Sequence, residues 1–524
     1  MRVLVMLMVL VHVGCGQRTL PAAHDSGAAG EPALDGGATR DAAPPPGCSA
    51  LACFKGGKRL TPLHAEQALF SPTLDRVLIV THAGNDPGDL LAISLPHGTS
   101  QLLDTAIHAV EWLGHGTQLL ASRNYSHKTY HYDLRLIPTS GAPETLATGI
   151  CSHRASPDGT QVWVVRNCQE HEGTLEILDL QSGGAQWVEK KVHAYGLAPS
   201  PDSQRMGFFS NVVDPPPGCL QRGSAWVADR SGHKELVTQD AVSQSLQFLD
   251  ASTLLYGIEP FCDDALYGYQ LVACDFAGQF CTLVGSSHEY GFPYHQSPSR
   301  YETSVDGALV LGATSDPQGY NSQLHAMRTD GLGQQLLAGD LFPYMSIAAV
   351  YDPWGFTASG KHVVYTHLAS STLPPYTMGL SAVPSAGGEP VRLTSKLFFA
   401  AYQVSPRDEE VAFVEQTGSD YHGDGMALKI GSPGSGAVRQ VLSSQQSLGM
   451  LRYLPDGRGL LLIEHPTKGG HTRLRYVARL GGASKLGEWN QTLLSGTYQV
   501  DPGGCAVLFD SDLDGGGTHL ALLP

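Results

Sequence analysis

The chain has 524 residues, a formal net charge of −16 and only 16% charged side chains. That balance argues against a nucleic-acid-binding surface and against a basic membrane-binding face. The length allows several domains or one large repeat assembly. The 61 glycines and 33 prolines, with apolar runs of mostly about four to six residues, point to an all-β protein with many tight turns.

The chain opens with Met1-Arg2 and an apolar run over residues 3–13. This is a one-charge n-region and a short h-region, too short for the about 20 residues of a spanning helix. The run ends at Val13-Gly14-Cys15, with a small residue before a cysteine. Residues 1–15 resemble a bacterial lipoprotein signal, which implies cleavage before Cys15 and its lipidation. His12 departs from that pattern, because the family prefers Leu three residues before the cysteine. An ordinary secretory signal with an incidental cysteine is the alternative. Gly16 in place of Asp resembles outer-membrane sorting. The resemblance implies an exported chain, lipid-anchored to the envelope of a Gram-negative bacterium. Residues 16–47 are rich in Ala, Gly, Asp and Pro. Such a stretch cannot bury enough apolar surface to order itself and reads as a disordered tether.

The ten cysteines fit an exported protein. With Cys15 lipidated, plausible bridges are Cys48–Cys53, Cys151–Cys168, Cys274–Cys281 and Cys219–Cys262, which leaves Cys505 free and buried in a strand. Spacing alone does not decide connectivity. Metal binding is the competing reading, although the chain has no C-x-x-C pair.

Along residues 48–524 a turn recurs, followed at once by a β-branched or aromatic run. Ser156-Pro157-Asp158-Gly159 leads into Val162-Trp163-Val164-Val165, and related turns stand at Ser200-Pro201-Asp202-Ser203, Ser405-Pro406-Arg407-Asp408 and Leu454-Pro455-Asp456-Gly457. Pro fixes φ at the second turn position, Asp bonds back to the backbone and Gly takes positive φ. The strand that follows is apolar at nearly every residue, as a strand buried on both faces must be. Aligning on the turn gives about ten units at roughly 41- to 55-residue spacing, the range of propeller blades. The pattern resembles the TolB-type (WD40-like, PD40) β-propeller repeat. That resemblance implies four-stranded blades over about residues 57–524. The last unit, starting at Asp501-Pro502-Gly503-Gly504, lacks a fourth strand. Lys58-Arg59-Leu60-Thr61 reads like one, so the segment near 57–62 is expected to pair with the last blade. The expectation is one closed ring of eight to ten blades.

No motif names a reaction. The chain lacks G-x-S-x-G, H-E-x-x-H, a P-loop and a dinucleotide fingerprint. His127 and His131 sit four apart in a polar loop and read as solvated, while His288 and His295 flank an aromatic loop. No cofactor is expected, with calcium as the one candidate. Asp510, Asp512 and Asp514 alternate before Gly515 in a hairpin loop, and calcium takes six to eight oxygen ligands. About fifteen aromatics fall between Tyr256 and Trp354, roughly twice the chain average. Phe261, Tyr267, Tyr290, Phe292, Tyr294, Phe342, Tyr344 and Trp354 are placed in loops, where they suit a peptide or glycan face. The functional expectation is a non-enzymatic, membrane-tethered propeller that binds a protein, peptide or envelope component. A hydrolase or lyase with its site at the mouth of the channel is the alternative, and it would show carboxylates and histidines converging there.

Overall fold

The computed structural model describes residues 58–523 apart from short stretches, the longest at 290–301 and 342–353. Among the described residues there are strands, turns and bends and no helix, and no helix is long and apolar enough to cross a membrane. Among the described residues, 37 strands build ten antiparallel four-stranded sheets in chain order, three of the strands shared between neighbouring sheets. Three long strands, Ser100–Leu113, Glu144–Ala155 and Val391–Val404, each end one sheet and begin the next. The second sheet, for example, runs from the end of Ser100–Leu113 through Gln118–Arg123 and Tyr132–Pro138 to the start of Glu144–Ala155. The last sheet comprises Tyr498–Val500, Ala506–Ser511 and Gly517–Leu522. Its fourth strand is Lys58–Thr61, antiparallel to Gly517–Leu522 with Lys58 opposite Leu520. The expected pairing of the N-terminal strand with the last sheet is therefore present.

The sheets pack face to face. Each core cluster draws on two consecutive sheets, as a propeller requires. Leu78, Val80 and Leu90 of the first sheet meet Val110, Leu119 and Ile137 of the second. Val364 and Leu380 of the seventh meet Val411 and Phe413 of the eighth. Phe70, Val77 and Ile79 of the first also meet Ala506, Leu508 and Leu520 of the last. The second strands carry most of this core. Val162, Val164 and Val165 are fully buried and Trp163 nearly so, which is why that strand is apolar throughout.

The recurring turn is a closed hydrogen-bond unit. Ser156 Oγ donates to Asp158 Oδ1 at 2.6 Å and accepts from the Gln161 N–H at 3.0 Å. The Gly159 N–H donates to the Ser156 carbonyl at 2.8 Å. The same pattern stands at Ser200/Asp202 and Ser304/Asp306, each with a 2.6 Å hydroxyl–carboxylate bond. Neighbouring turns interlock. The Asp158 N–H donates to Ser203 Oγ of the next sheet at 2.9 Å, and Arg230 pairs with Asp158 at 3.0 Å. Gly159 has φ +70°, and a Cβ there would sit 2.7 Å from the Gly114 nitrogen of the preceding sheet. At Asp501 a carboxylate replaces the turn serine and takes the N–H groups of Gly503 and Ala506.

The first strand of each sheet has a partner strand on one side only, which leaves an edge. Side chains of the adjacent sheet fill it. The Gln67 amide donates to the Val110 carbonyl at 2.7 Å and accepts its N–H at 2.9 Å. In return, Trp112 Nε1 donates to the Phe70 carbonyl at 2.8 Å. Glu302 accepts the Phe356 N–H, Gln403 accepts the Tyr453 N–H, and the Tyr498 hydroxyl donates to the Met450 carbonyl.

Disulfides join Cys151 to Cys168 and Cys274 to Cys281, as expected. They mark an oxidising compartment and hence an exported protein. The expectation of a free Cys505 is corrected: Cys505 is buried next to Ala506 but disulfide-bonded. Cys15, Cys48, Cys53 and Cys219 lie outside the described residues, and Cys262 is described in its backbone alone.

Candidate binding surface

Each sheet has two ends. The serine turns and the turns between third and fourth strands share one. The loops between second and third strands and the links to the next sheet share the other. At this second end, sheets two to four gather histidines and tyrosines.

The first contribution is the loop 124–131, between Gln118–Arg123 and Tyr132–Pro138. Its base is closed by the Ser126 N–H on the His131 carbonyl (2.9 Å) and the Tyr130 N–H on the Ser126 carbonyl (2.7 Å). The next sheet adds a two-residue hairpin turn at Glu170-His171 and His193 at the end of Ala185–His193, and the link beyond it adds Tyr195. Tyr125 stacks on His108 with ring centroids 4.5 Å apart and planes at 10°, and His127 meets Tyr125 edge-on at 5.0 Å. His171 lies 6.3 Å from Tyr130, 5.5 Å from Tyr195 and 6.3 Å from His193. Tyr130 is 52% exposed and Tyr195 45%. Burial pushes the Tyr125 phenol up, with Tyr195 and Tyr130 nearby adding to it.

Backbone strain singles out part of this surface. Several non-glycine residues take positive φ. Asn124, Asn167 and Asn211 stand at matching points after or within successive second strands, so they belong to the repeat. Tyr130 (φ 57°), Glu170 (φ 50°) and His171 (φ 77°) do not recur. A hairpin turn of this type favours Asn-Gly, and holding Glu-His there costs about 1 kcal/mol or more per residue. Uncompensated strain of this kind concentrates at binding sites.

Beside the surface, on the first strands of sheets two and three, stand Glu111, His153 and Arg154. The Tyr132 hydroxyl lies 2.6 Å from His153 Nδ1, and His153 Nε2 lies 3.1 Å from Glu111 Oε1. A carboxylate only accepts, so the Nε2–H of His153 donates to Glu111. Burial works to raise Glu111, but the His153 hydrogen bond and the charges of His153 and Arg154 outweigh it and hold its carboxyl low. Tyr132 is pushed far up, first by burial and then by the Glu111 charge.

The surface offers flat faces for stacking, with ring nitrogens and phenols at their edges. That combination suits a ligand with planar or ring-shaped elements. Among the described residues no three or more His, Cys, Asp or Glu side chains converge as metal ligands.

The described residues among those picked for a binding face or a metal lie in other sheets. Phe261 and Tyr267 were placed in loops, but they lie in the strands Thr253–Cys262 and Tyr267–Asp275, opposite Gly268 and Cys262. Trp354, also placed in a loop, lies in the strand Trp354–Phe356, 7% exposed, packed with Phe356, Val363 and Tyr365. Tyr290, Phe292, Tyr294, Phe342, Tyr344, His295, Asp512 and Asp514 fall outside the described residues. Asp510 is described in its backbone, paired with Thr518. His288 is a strand residue opposite Gly268. His127 is exposed, as read, but it packs on Tyr125 as part of the cluster. The sequence signal was the run Tyr125-Ser126-His127-Lys128-Thr129-Tyr130-His131 itself, with four ring-bearing residues among seven.

No family model and no curated protein matches the chain. Solved structures similar to it include a eukaryotic initiation factor, at TM-score 0.47 and 10% identity over 84% of this chain and 91% of that one. Dipeptidyl peptidase 4 of Porphyromonas gingivalis gives 0.42 and 10%, covering 79% and 66%. TolB of Acinetobacter baumannii gives 0.26 and 14%, covering 51% and 61%. At these values the likenesses carry no argument about activity, and the propeller architecture rests on the sheets and their packing.

Proposed function

We propose that the chain is an exported, envelope-tethered β-propeller that binds a protein, peptide or other envelope component through the histidine–tyrosine surface of sheets two to four. In this reading the ten sheets form one closed ring, with Lys58–Thr61 completing the last blade and the first and last sheets sharing a core. Lipidated Cys15 and the tether 16–47 hold the ring off the outer membrane. The observation that carries the binding role is the exposed cluster of Tyr130, His171 and Tyr195, in which Tyr130 and His171 hold positive φ, a strain that concentrates at binding sites. The test is recovery of partners from solubilised bacterial envelope by the tagged protein. A component retained by the native protein and lost with Tyr130→Ala and Tyr195→Ala supports the role. Identical recovery by both proteins ends it.

The hydrolase or lyase alternative has one observation in its favour. Glu111, His153 and Arg154 lie on first strands, which face the channel of a ring, and the Tyr132–His153–Glu111 chain could move a proton. It expects turnover of an envelope polymer that Glu111→Gln abolishes while folding is unchanged. Binding without turnover excludes it.

A further inference from the structure

The Glu170-His171 turn is held by its own sheet on one side only. The outer arm is secured: Glu172 pairs with His193, and the His171 carbonyl accepts the Ala194 N–H at 2.7 Å. The inner arm is not. Pairing between the first and second strands ends with Ile150 opposite Arg166, short of Gln169. Between the second and third strands, the last pair is Gln169 with Glu172. A bulge separates it from Arg166 with Thr174, so that Asn167 and Cys168 face Gly173 alone. Asn167 takes φ 55° there. A bulge leaves a residue unpaired and breaks the ladder. Backbone hydrogen bonds therefore do little on this side to hold two residues that are costly to keep at positive φ.

The Cys151–Cys168 disulfide crosses that gap. Cys151 stands between Ile150 and Ser152, where the first strand bulges, and Cys168 lies in the second-strand bulge just before the turn. The Cys168 N–H also donates to Cys151 Sγ at 3.2 Å. Gly173 makes room for the bridge, since a Cβ there would lie 2.7 Å from Cys168 Sγ. Both cysteines are only partly buried, so a thiol reaches the bridge. The Cys274–Cys281 bridge is placed differently. It joins residues already paired across two strands, and the ladder runs on to Asp275 and Phe280.

We propose that Cys151–Cys168 is a positioning disulfide: it clamps the inner arm of the Glu170-His171 turn, and its reduction releases the turn and weakens binding at the surface. The consequence for binding rests on the binding role proposed above; the clamp does not. Reduction takes two electrons and two protons from a dithiol, which becomes a disulfide as Cys151 and Cys168 become thiols. Without the bridge, Glu170 and His171 relax toward negative φ, and the His171 ring leaves its place between Tyr130 and Tyr195.

The experiment compares amide hydrogen exchange in the full-length native protein, in Cys151→Ala/Cys168→Ala and, as a control, in Cys274→Ala/Cys281→Ala. Residues 166–173 are expected to exchange at least about tenfold faster in the first variant and unchanged in the control. The turn at 156–159 should stay as protected as in the native protein, which also shows that the variant folds. Dithiothreitol should reproduce the rise in the native protein and add nothing at 166–173 in the first variant. Unchanged exchange at 166–173 overturns the clamp. So does a rise shared equally by 156–159, which marks a general cross-link. The second readout is recovery from solubilised envelope. A component retained by the native protein and the control, and lost with the first variant, supports the link to binding. Equal retention by the first variant overturns that link. A native protein that retains nothing overturns the binding role and the link together, while the clamp stands or falls on the exchange result.

Discussion

The two ends of the sheets obey different rules. At the turn end, serine, aspartate and glycine recur from sheet to sheet, and successive turns bond at several seams, as Asp158 does to Ser203 and Arg458 to Gly504. At the loop end of sheets two to four, Tyr130, Glu170 and His171 do not recur, and Glu170 and His171 hold conformations that other residues would hold more easily. One end is built for assembly, where each side chain serves the backbone. The other tolerates strain and leaves its rings exposed. The contrast separates residues kept for folding from residues free to serve binding.

The contrast can be broken by substitutions, beginning with the largest effect. Gly159→Ala forces a side chain into positive φ and against the Gly114 backbone. It should cost about 2–3 kcal/mol in denaturant unfolding; a cost below 1 would mean that the turns do not interlock. Ser200→Ala removes a fully buried hydroxyl that serves Asp202 and the Arg205 N–H. It should cost about 1–2 kcal/mol by the same measurement. At the other end the sign reverses: His171→Gly relieves strain and should stabilise by about 0.5–1 kcal/mol while weakening binding. Destabilisation there would show that the loop end is also built for folding.

Two smaller effects sharpen the comparison. Burial raises the Asp501 carboxyl, against the N–H groups of Ala506, Gly503 and Cys505 and the charge of Arg458. A carboxyl whose folded pKa lies above its unfolded value favours the fold at low pH and disfavours it as pH rises through that window. Asp501→Ser, which restores the turn serine of other sheets, should therefore raise the unfolding midpoint at pH 7 and leave it unchanged at pH 3. An equal gain at both would assign the effect to packing. Tyr130→Ala should leave stability within about 0.5 kcal/mol, seen as an unchanged denaturation midpoint.

The architecture was legible because it is written locally. Ser156-Pro157-Asp158-Gly159 and the apolar run after it specify a turn and a doubly buried strand, and Lys58–Thr61 announced its pairing by resembling other fourth strands. The surface was less legible. Its rings come from His108, the loop 124–131, His171 and the link at Tyr195, brought together only when three sheets stack, and no single stretch records that. At Trp354 aromatic density marked packing, since that side chain fills a core with Phe356, Val363 and Tyr365. Cys505 was misread for a related reason, since a cysteine beside a buried strand looks like packing until its bond is seen.

The exchange of caps between first strands has a consequence for how such a chain can change. Gln67 serves Val110 and Trp112 serves Phe70, whereas Gln403 serves Tyr453 and Tyr498 serves Met450. These are different devices at different seams, so the units are not interchangeable. A duplicated unit spliced into the series would bring a cap shaped for another neighbour and leave two edges bare. Repeats that begin as copies thereby become individuals, each fitted to its place. The number of units is then inherited as a whole rather than adjusted one at a time.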